Sequence, residues 1–226
     1  MILKQIITIG GNPYSGINTA GEYLKNKYGF ACKSYNYPVD DIYNDLKRIF
    51  KFESYQRFLA KVELIMKHSA SLTEILGGCK EWYDDVVFKW LTYVEREEKE
   101  LFVKRVIYED LTKLNPDWRK LIIQENISKS YCSGIILLNP FTVSETEYNP
   151  ETLCLWIKTP RYKCYQHAWQ KNVEYENKIF NRLYLEQLRL VKDRADFEVN
   201  NIGTKEEFYK ELDLLMKGVL HFESTQ

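Results

Sequence analysis

The N-terminal segment constrains the fold of this chain more than any other part of the sequence. Residues 3–9 are β-branched and almost continuously apolar, which is typical of a strand buried on both faces of a parallel sheet. Gly10 and Gly11 end this run, and residues 19–28 then show helical spacing closed by Gly29. A glycine at that position is a common helix C-terminus. The sequence therefore predicts a buried strand, a glycine-rich loop and a helix in direct succession.

Further strand signals alternate with helical segments along the rest of the chain. The predicted strands cover residues 30–37, 134–138, 152–157 and 197–200, and the last of them precedes a helix over 205–220. Such alternation is typical of a parallel sheet with crossover helices. Residues 52–128 are predicted to be helical almost throughout, and no linker or repeat divides the chain. We therefore predict an α/β fold in a single domain, 1–226, with a large helical insertion.

The composition of the chain gives no indication of a nucleic-acid-binding, membrane, secreted or metal-binding protein. The 226 residues include 32 Lys and Arg against 32 Asp and Glu, so the overall charge indicates neither a nucleic-acid nor a membrane surface. No run is long enough for a membrane span, and the N-terminal apolar run is too short for a secretory signal. The five cysteines form no C-x-x-C pair and the three histidines are isolated, so we predict no metal site and a cytoplasmic protein with reduced thiols.

The loop after the first strand has the spacing of a phosphate-binding motif. Residues 11–19, G-N-P-Y-S-G-I-N-T, keep the glycines of G-x-x-x-x-G-K-[ST] between a strand and a helix. Glycines allow the backbone to bend around a phosphate, and the helix N-terminus supplies positive partial charge. However, Ile17 stands at the lysine position, Asn18 at the hydroxyl position, and Thr19 comes one residue late. From these residues alone, a phosphate-binding loop and a glycine-rich turn without ligand both stay open.

Taken with other segments, the chain resembles the deoxynucleoside monophosphate kinases of bacteriophages, a branch of the P-loop kinases. The family pattern G-x-x-x-S-G-K-D-T is similar to residues 11–19, and residues 34–40, S-Y-N-Y-P-V-D, are similar to the segment that begins the monophosphate-binding helix. Residues 196–208 resemble the family ending D-x-x-I-x-N-x-G-[ST]-x-E-E-L, with Thr204 as the expected helix N-cap. Residues 72–78 are similar to the family segment L-L-Q-x-L-G-T, with Glu74 in place of glutamine.

This resemblance implies a P-loop nucleoside monophosphate kinase-like three-layer fold, with helices on both faces of the sheet and a lid-like region at 158–195. It also implies three groups of site residues, and ATP with Mg²⁺ as the cofactors of an active enzyme. These groups are a phosphate-binding loop of Gly11, Ser15, Gly16, Ile17, Asn18 and Thr19, a base side of Asn201, Gly203 and Thr204, and a substrate side of Tyr35, Pro38 and Asn139.

The sequence departs from the family at charged positions. Ile17 replaces the loop lysine, Asp40 stands where a lysine is usual, and the aspartate and arginine that follow the 134–138 strand are absent, with Asn139 and Pro140 there instead. Phosphoryl transfer depends on positioning and charge neutralisation. We therefore expect a degenerate kinase of phage or viral origin, located in the host cytoplasm and retained for nucleotide binding or protein interaction.

Two alternatives stay open at the level of sequence. The chain is an active (deoxy)nucleoside monophosphate kinase if cations from elsewhere in the sequence point into the loop; the candidates are Arg161, Lys163 and Arg182. Alternatively, it is a related P-loop enzyme that phosphorylates a modified nucleotide or another small acceptor. The partner to be tested is therefore a nucleotide or a protein, and the sequence does not define the oligomeric state.

Overall fold

The computed structural model describes residues 5–68, 80–97, 100–129, 134–140, 142–148, 152–171 and 182–219. Five parallel strands form one sheet in the order β2-β3-β1-β4-β5. The strands are β1 (Gln5–Gly11), β2 (Ala31–Ser34), β3 (Gly134–Leu138), β4 (Leu153–Lys158) and β5 (Phe197–Asn200). The helices are α1 (Ile17–Tyr28), α2 (Tyr37–Lys47), α3 (Phe52–Lys67), α4 (Lys80–Glu97), α5 (Glu100–Leu114), α6 (Trp118–Lys129), α7 (Arg161–Gln170), α8 (Arg182–Asp193) and α9 (Lys205–Val219), and a 3₁₀ turn covers Val143–Thr146.

Helices cover both faces of the sheet. On one face, α1 and α9 pack on β-strand side chains that include Ile7, Ile9 and Leu155. Trp156 is the next residue along β4 and therefore points to the opposite face, where it packs against Leu188 of α8. Because β1 lies at the centre of the sheet, its side chains are buried on both sides, as a continuous apolar run requires. The predicted three-layer α/β fold is confirmed.

Two element boundaries differ from the sequence prediction for local reasons. Strand β2 ends at Ser34 instead of residue 37, because Pro38 lies in the first turn of α2, a position that proline favours. Helix α1 begins at Ile17 instead of residue 19, because Gly16 adopts the left-handed conformation of its N-cap, with φ 103°. This earlier start places the first helical amides inside the glycine-rich loop.

The chain divides into two compact units. Residues 36–129 form the second unit, and the sheet with its flanking helices forms the first. Helices α2 to α6 pack around buried aromatic residues that include Trp90 and Trp118. A buried carboxylate, Asp45 of α2, pairs with Arg57 (2.6 Å) and with Lys61 of α3. The predicted helical region 52–128 lies within this second unit. Its role as an insertion in one domain, and that of 158–195 as a lid, stay predictions.

The predicted helix interruption near residue 115 is confirmed, since α5 ends at Leu114 and α6 begins at Trp118. The interruption predicted near residue 77, and the family-like segment 72–78, fall outside the described residues. Cys32, Cys154 and Cys164 are free thiols. No helix in the described ranges combines the length and the apolar character that crossing a bilayer requires.

Candidate functional site

The loop between β1 and α1 is a tight turn at the carboxyl end of the central strand. Two of its residues have positive φ, Tyr14 at 63° and Gly16 at 103°, and the Ser15 amide donates a hydrogen bond to the Asn12 carbonyl at 3.0 Å. A Cβ atom at Gly16 would lie 2.6 Å from Asn201 Nδ2. Both the backbone conformation and the space at position 16 therefore require glycine.

The first turn of α1 presents backbone amides at the end of this loop. Ala20 makes the first intrahelical bond, from its amide to the Gly16 carbonyl at 2.9 Å. The amides of Ile17, Asn18 and Thr19 precede it and have no acceptor within the helix. Such amides carry the positive end of the helix dipole and bind phosphate oxygens. The loop therefore presents three helix N-terminal amides, the groups on which a phosphate-binding role would depend.

The side chain of Ser15 adds a polar atom to the loop. Ser15 is fully buried. Among the described residues, its Oγ is the one buried side-chain polar atom without a hydrogen-bond partner. It lies against Gly11, where a Cβ would be only 2.5 Å from it. Burying a hydroxyl without a partner costs about 1–3 kcal/mol. A ligand oxygen in the loop would supply the missing partner.

The position that a lysine would occupy is part of the apolar core. Ile17 is 6% exposed and packs with Ala20 and Leu24 of α1. Asn18 is exposed, and Thr19 is half-buried. The two side chains after Gly16 therefore provide no positive charge. In the described part of the chain, no three His, Cys, Asp or Glu side chains form a metal-binding group.

The candidate cations on α7 bind other groups. The Arg161 guanidinium lies over the Tyr165 ring at 5.5 Å and donates to the Tyr165 hydroxyl at 3.1 Å. The Lys163 ammonium donates to the carbonyl of Gly203 and lies 3.5 Å from that of Asn201. The side chain of Arg182 is outside the described residues. A cation that reaches the loop after β1 therefore stays a prediction.

The residues predicted to lie beside the base form the turn before α9. Asn201 is 7% exposed, and its Nδ2 donates to the Ser15 carbonyl at 2.8 Å. Thr204 caps α9 as predicted: its amide donates to Glu207 Oε2 at 2.7 Å, and the Glu207 amide donates to its hydroxyl at 3.2 Å. The bonds from the Thr204 amide and hydroxyl lower the pKa of Glu207. Gly203 is exposed in this turn, and the assignment to a base stays a prediction.

The residues predicted to lie on the substrate side have different surroundings. Tyr35 is fully buried, and its hydroxyl donates to the Glu145 carbonyl and contacts the Tyr148 hydroxyl. Asn139 follows β3 with φ 62°, and its amide donates to the Ile9 carbonyl at 3.0 Å. Pro38 is buried in the first turn of α2, in the second unit. Their contact with a substrate stays a prediction.

Two residues that the sequence did not indicate contact the loop backbone. Thr159 Oγ1 donates to the Ser15 carbonyl at 2.7 Å, and His167 Nδ1 lies 2.9 Å from the Tyr14 carbonyl. Thr159 follows β4, the strand beside β1, so a polar residue at the carboxyl end of a parallel strand was an available signal. His167 is 153 positions from Tyr14, and no local pattern connects them.

Comparison with known proteins adds loose structural similarity. No family model matches the sequence, and no curated protein matches it. Similar solved structures include TT1252 from Thermus thermophilus (15% identity, 96% of this chain and 97% of that chain, TM-score 0.49) and shikimate kinase from Acinetobacter baumannii (10%, 96% and 95%, 0.46). Dephospho-CoA kinase from Campylobacter jejuni is another (16%, 95% and 97%, 0.36). All three TM-scores are below 0.5, and the α/β fold itself is shown by the parallel sheet and its flanking helices.

Proposed function

We propose that this protein is a degenerate deoxynucleoside monophosphate kinase-like protein of phage or viral origin that binds nucleotide phosphates at residues 11–19. It transfers phosphoryl groups slowly or not at all. This proposal rests on the type and burial of the residue at position 17. An isoleucine packed in the core stands where the family has a lysine, while the glycines and amides of the loop are retained.

Binding is supported by the backbone, which does not depend on the missing charge. The amides at the start of α1, the left-handed Gly16 and the unpartnered Ser15 hydroxyl together fit a phosphate group. In loops of this type the backbone holds the α- and β-phosphates and the lysine reaches the β- and γ-phosphates. Without the lysine, the γ-phosphate adds little to the binding free energy. We therefore expect ADP and ATP to bind with similar affinity.

The residues present fit the phosphates of ATP better than they fit its metal. ATP would supply the transferable phosphoryl group, and Mg²⁺ would neutralise its charge. The position that normally ligates the metal through a hydroxyl is the exposed Asn18, and the hydroxyl of Thr19 is one residue further along α1. One preorganised charge in such a site is worth about 3–4 kcal/mol in the transition state. Its loss slows transfer by about a hundredfold or more.

Calorimetric titration and turnover assays test the two halves of this proposal separately. The full chain is titrated with ADP and with ATP, each with and without Mg²⁺, and is assayed for phosphoryl transfer from ATP to the four deoxynucleoside monophosphates. We expect measurable binding of both nucleotides and turnover far below the roughly 1–100 s⁻¹ of kinases. Turnover in that range would overturn the assignment as a degenerate kinase. Absence of binding would overturn the nucleotide site and leave protein interaction as the retained role.

A further inference from the structure

The carbonyl of Ser15, at the centre of the phosphate-binding loop, accepts hydrogen bonds from two different side chains. Thr159 Oγ1, just after β4, donates at 2.7 Å, and Asn201 Nδ2, just after β5, donates at 2.8 Å. Both donors are 7% exposed, so water competes weakly for these bonds. Bonds in such surroundings are electrostatically stronger than on the surface. The Ser15 carbonyl is therefore fixed in direction by two neighbouring strands.

This fixed carbonyl determines where the next amide points. The peptide between Ser15 and Gly16 is trans, and the carbonyl and N–H of a trans peptide point in opposite directions. Because the carbonyl points at Thr159 and Asn201, the Gly16 amide points away from both. Ser15, the residue that precedes this amide in the chain, has a buried hydroxyl without a partner in the described structure.

We propose that Thr159 and Asn201 are positioning residues of the phosphate-binding loop, which act by holding the Ser15 carbonyl so that the Gly16 amide faces the ligand. This inference rests on the proposed phosphate site. It also explains why position 16 excludes a side chain, since a Cβ there would lie 2.6 Å from Asn201 Nδ2. Rigid placement of the amides in advance favours binding at a site without a lysine, because it lowers the ordering cost on binding.

The matched pair Thr159→Val and Thr159→Ser tests the role of the hydroxyl. Valine keeps the shape of threonine and removes the donor, whereas serine keeps the donor and removes a methyl group. We expect ADP binding, measured by calorimetry without Mg²⁺, to weaken about fivefold in T159V, as for one lost hydrogen bond. T159S stays within about twofold of the wild type, and the double variant T159V/N201A loses more than T159V. Equal ADP affinities of T159V and the wild type, or equal weakening in T159S and T159V, would overturn the inference.

A second measurement separates this inference from the proposed function. Backbone order at Gly16, from ¹⁵N relaxation of the ligand-free protein, needs no nucleotide. We expect lower order at Gly16 in T159V than in T159S or the wild type, with unchanged order at Gly29 at the other end of α1. Unchanged order at Gly16 in T159V would contradict the positioning role even if ADP binds. Failure of the wild type to bind ADP would instead contradict the proposed function, and the relaxation result would still decide the role of Thr159.

Discussion

The loops that follow β1 and β3 lie on neighbouring strands at the carboxyl edge of the sheet, yet they use their polar groups in opposite ways. Both lack the charges of the family that they resemble. The loop after β1 keeps the amides of Ile17 and its successors without acceptors in α1. In the loop after β3 the polar groups are used by the fold: the Asn139 amide donates to the Ile9 carbonyl of β1, and Thr142 and Glu145 form a capping box.

The comparison separates two kinds of site that the resemblance implies. A phosphate site made of backbone amides depends on glycines and dihedral angles, so the proposed site does not require a lysine in place of Ile17. A site built from an aspartate and an arginine depends on those side chains, and after β3 the chain has Asn139 and a buried Glu145, 3% exposed, that serves the turn. The first three predictions below test this contrast, and the fourth tests the cap of α9.

The largest effect is expected for Gly16→Val. Position 16 has φ 103° and faces Asn201, so a side chain strains the backbone by about 1–3 kcal/mol and displaces the loop. ADP binding should weaken by about a hundredfold, as expected for a misplaced site. Gly29→Val is the matched control, because Gly29 has φ 73° with no atom within 4 Å of an added Cβ. It should lose stability but keep ADP affinity. Equal weakening by both variants would contradict a local site at the β1 loop.

The next effect is a gain from Ile17→Lys. A lysine at this position has to leave the core site that Ile17 fills, which lowers stability. Its ammonium then makes a charge-assisted contact with the γ-phosphate, worth about 1.5 kcal/mol or more, and should raise ATP affinity about tenfold. ADP affinity should rise less, so the ratio of the two dissociation constants is the quantity to measure. Ile17→Met also replaces the branched side chain but adds no charge, and it should leave the ratio near that of the wild type. An unchanged ratio in I17K would show that the loop does not hold the phosphates as proposed.

A smaller effect is expected for Glu145→Ala in the loop after β3. Glu145 Oε2 accepts the Thr142 amide at 3.2 Å, and its removal leaves a polar group without its partner. The free energy of unfolding should fall by about 1–2 kcal/mol, measured by chemical denaturation. ADP affinity should be unchanged, because this turn serves the fold. Glu145→Gln keeps an acceptor oxygen and should lose less stability. A loss of ADP affinity in E145A with little loss of stability would reverse the contrast between the two loops.

The smallest effect is the pH dependence of the α9 cap. The pKa of Glu207 is lowered by hydrogen bonds from the Thr204 amide and hydroxyl. Its stabilising contribution is therefore fully present above the unfolded pKa of about 4.3, and it is lost as pH falls through the lower folded value. The stability advantage of the wild type over Glu207→Gln should shrink between pH 5 and pH 3, measured by denaturation. Glu206→Gln, in the same turn but outside the capping box, should show a smaller change; an equal change would contradict the cap as its cause.

Local sequence patterns predicted much of this architecture. The apolar run at β1, the strands at β3 and β5 and the cap at Thr204 follow from short-range chemistry, and the structure has each of them. Strand β2 was predicted to reach residue 37 but ends at Ser34, because a turn occupies residues 35 and 36 and α2 begins at Tyr37. Helix α1 was predicted to start too late, because a left-handed glycine N-cap has no side-chain signal.

By itself, the sequence determined that a glycine-rich loop joins a buried strand to a helix without a lysine, since glycine spacing and side-chain charge are local properties. Only the tertiary structure decided where the side chain of residue 17 lies and which side chains support the loop. Ile17 joins the core because α1 packs on the sheet, and Thr159 and Asn201 meet at Ser15, 144 and 186 positions away. Parallel strands bring their carboxyl ends to one edge, and no periodicity along the chain indicates which side chains meet there.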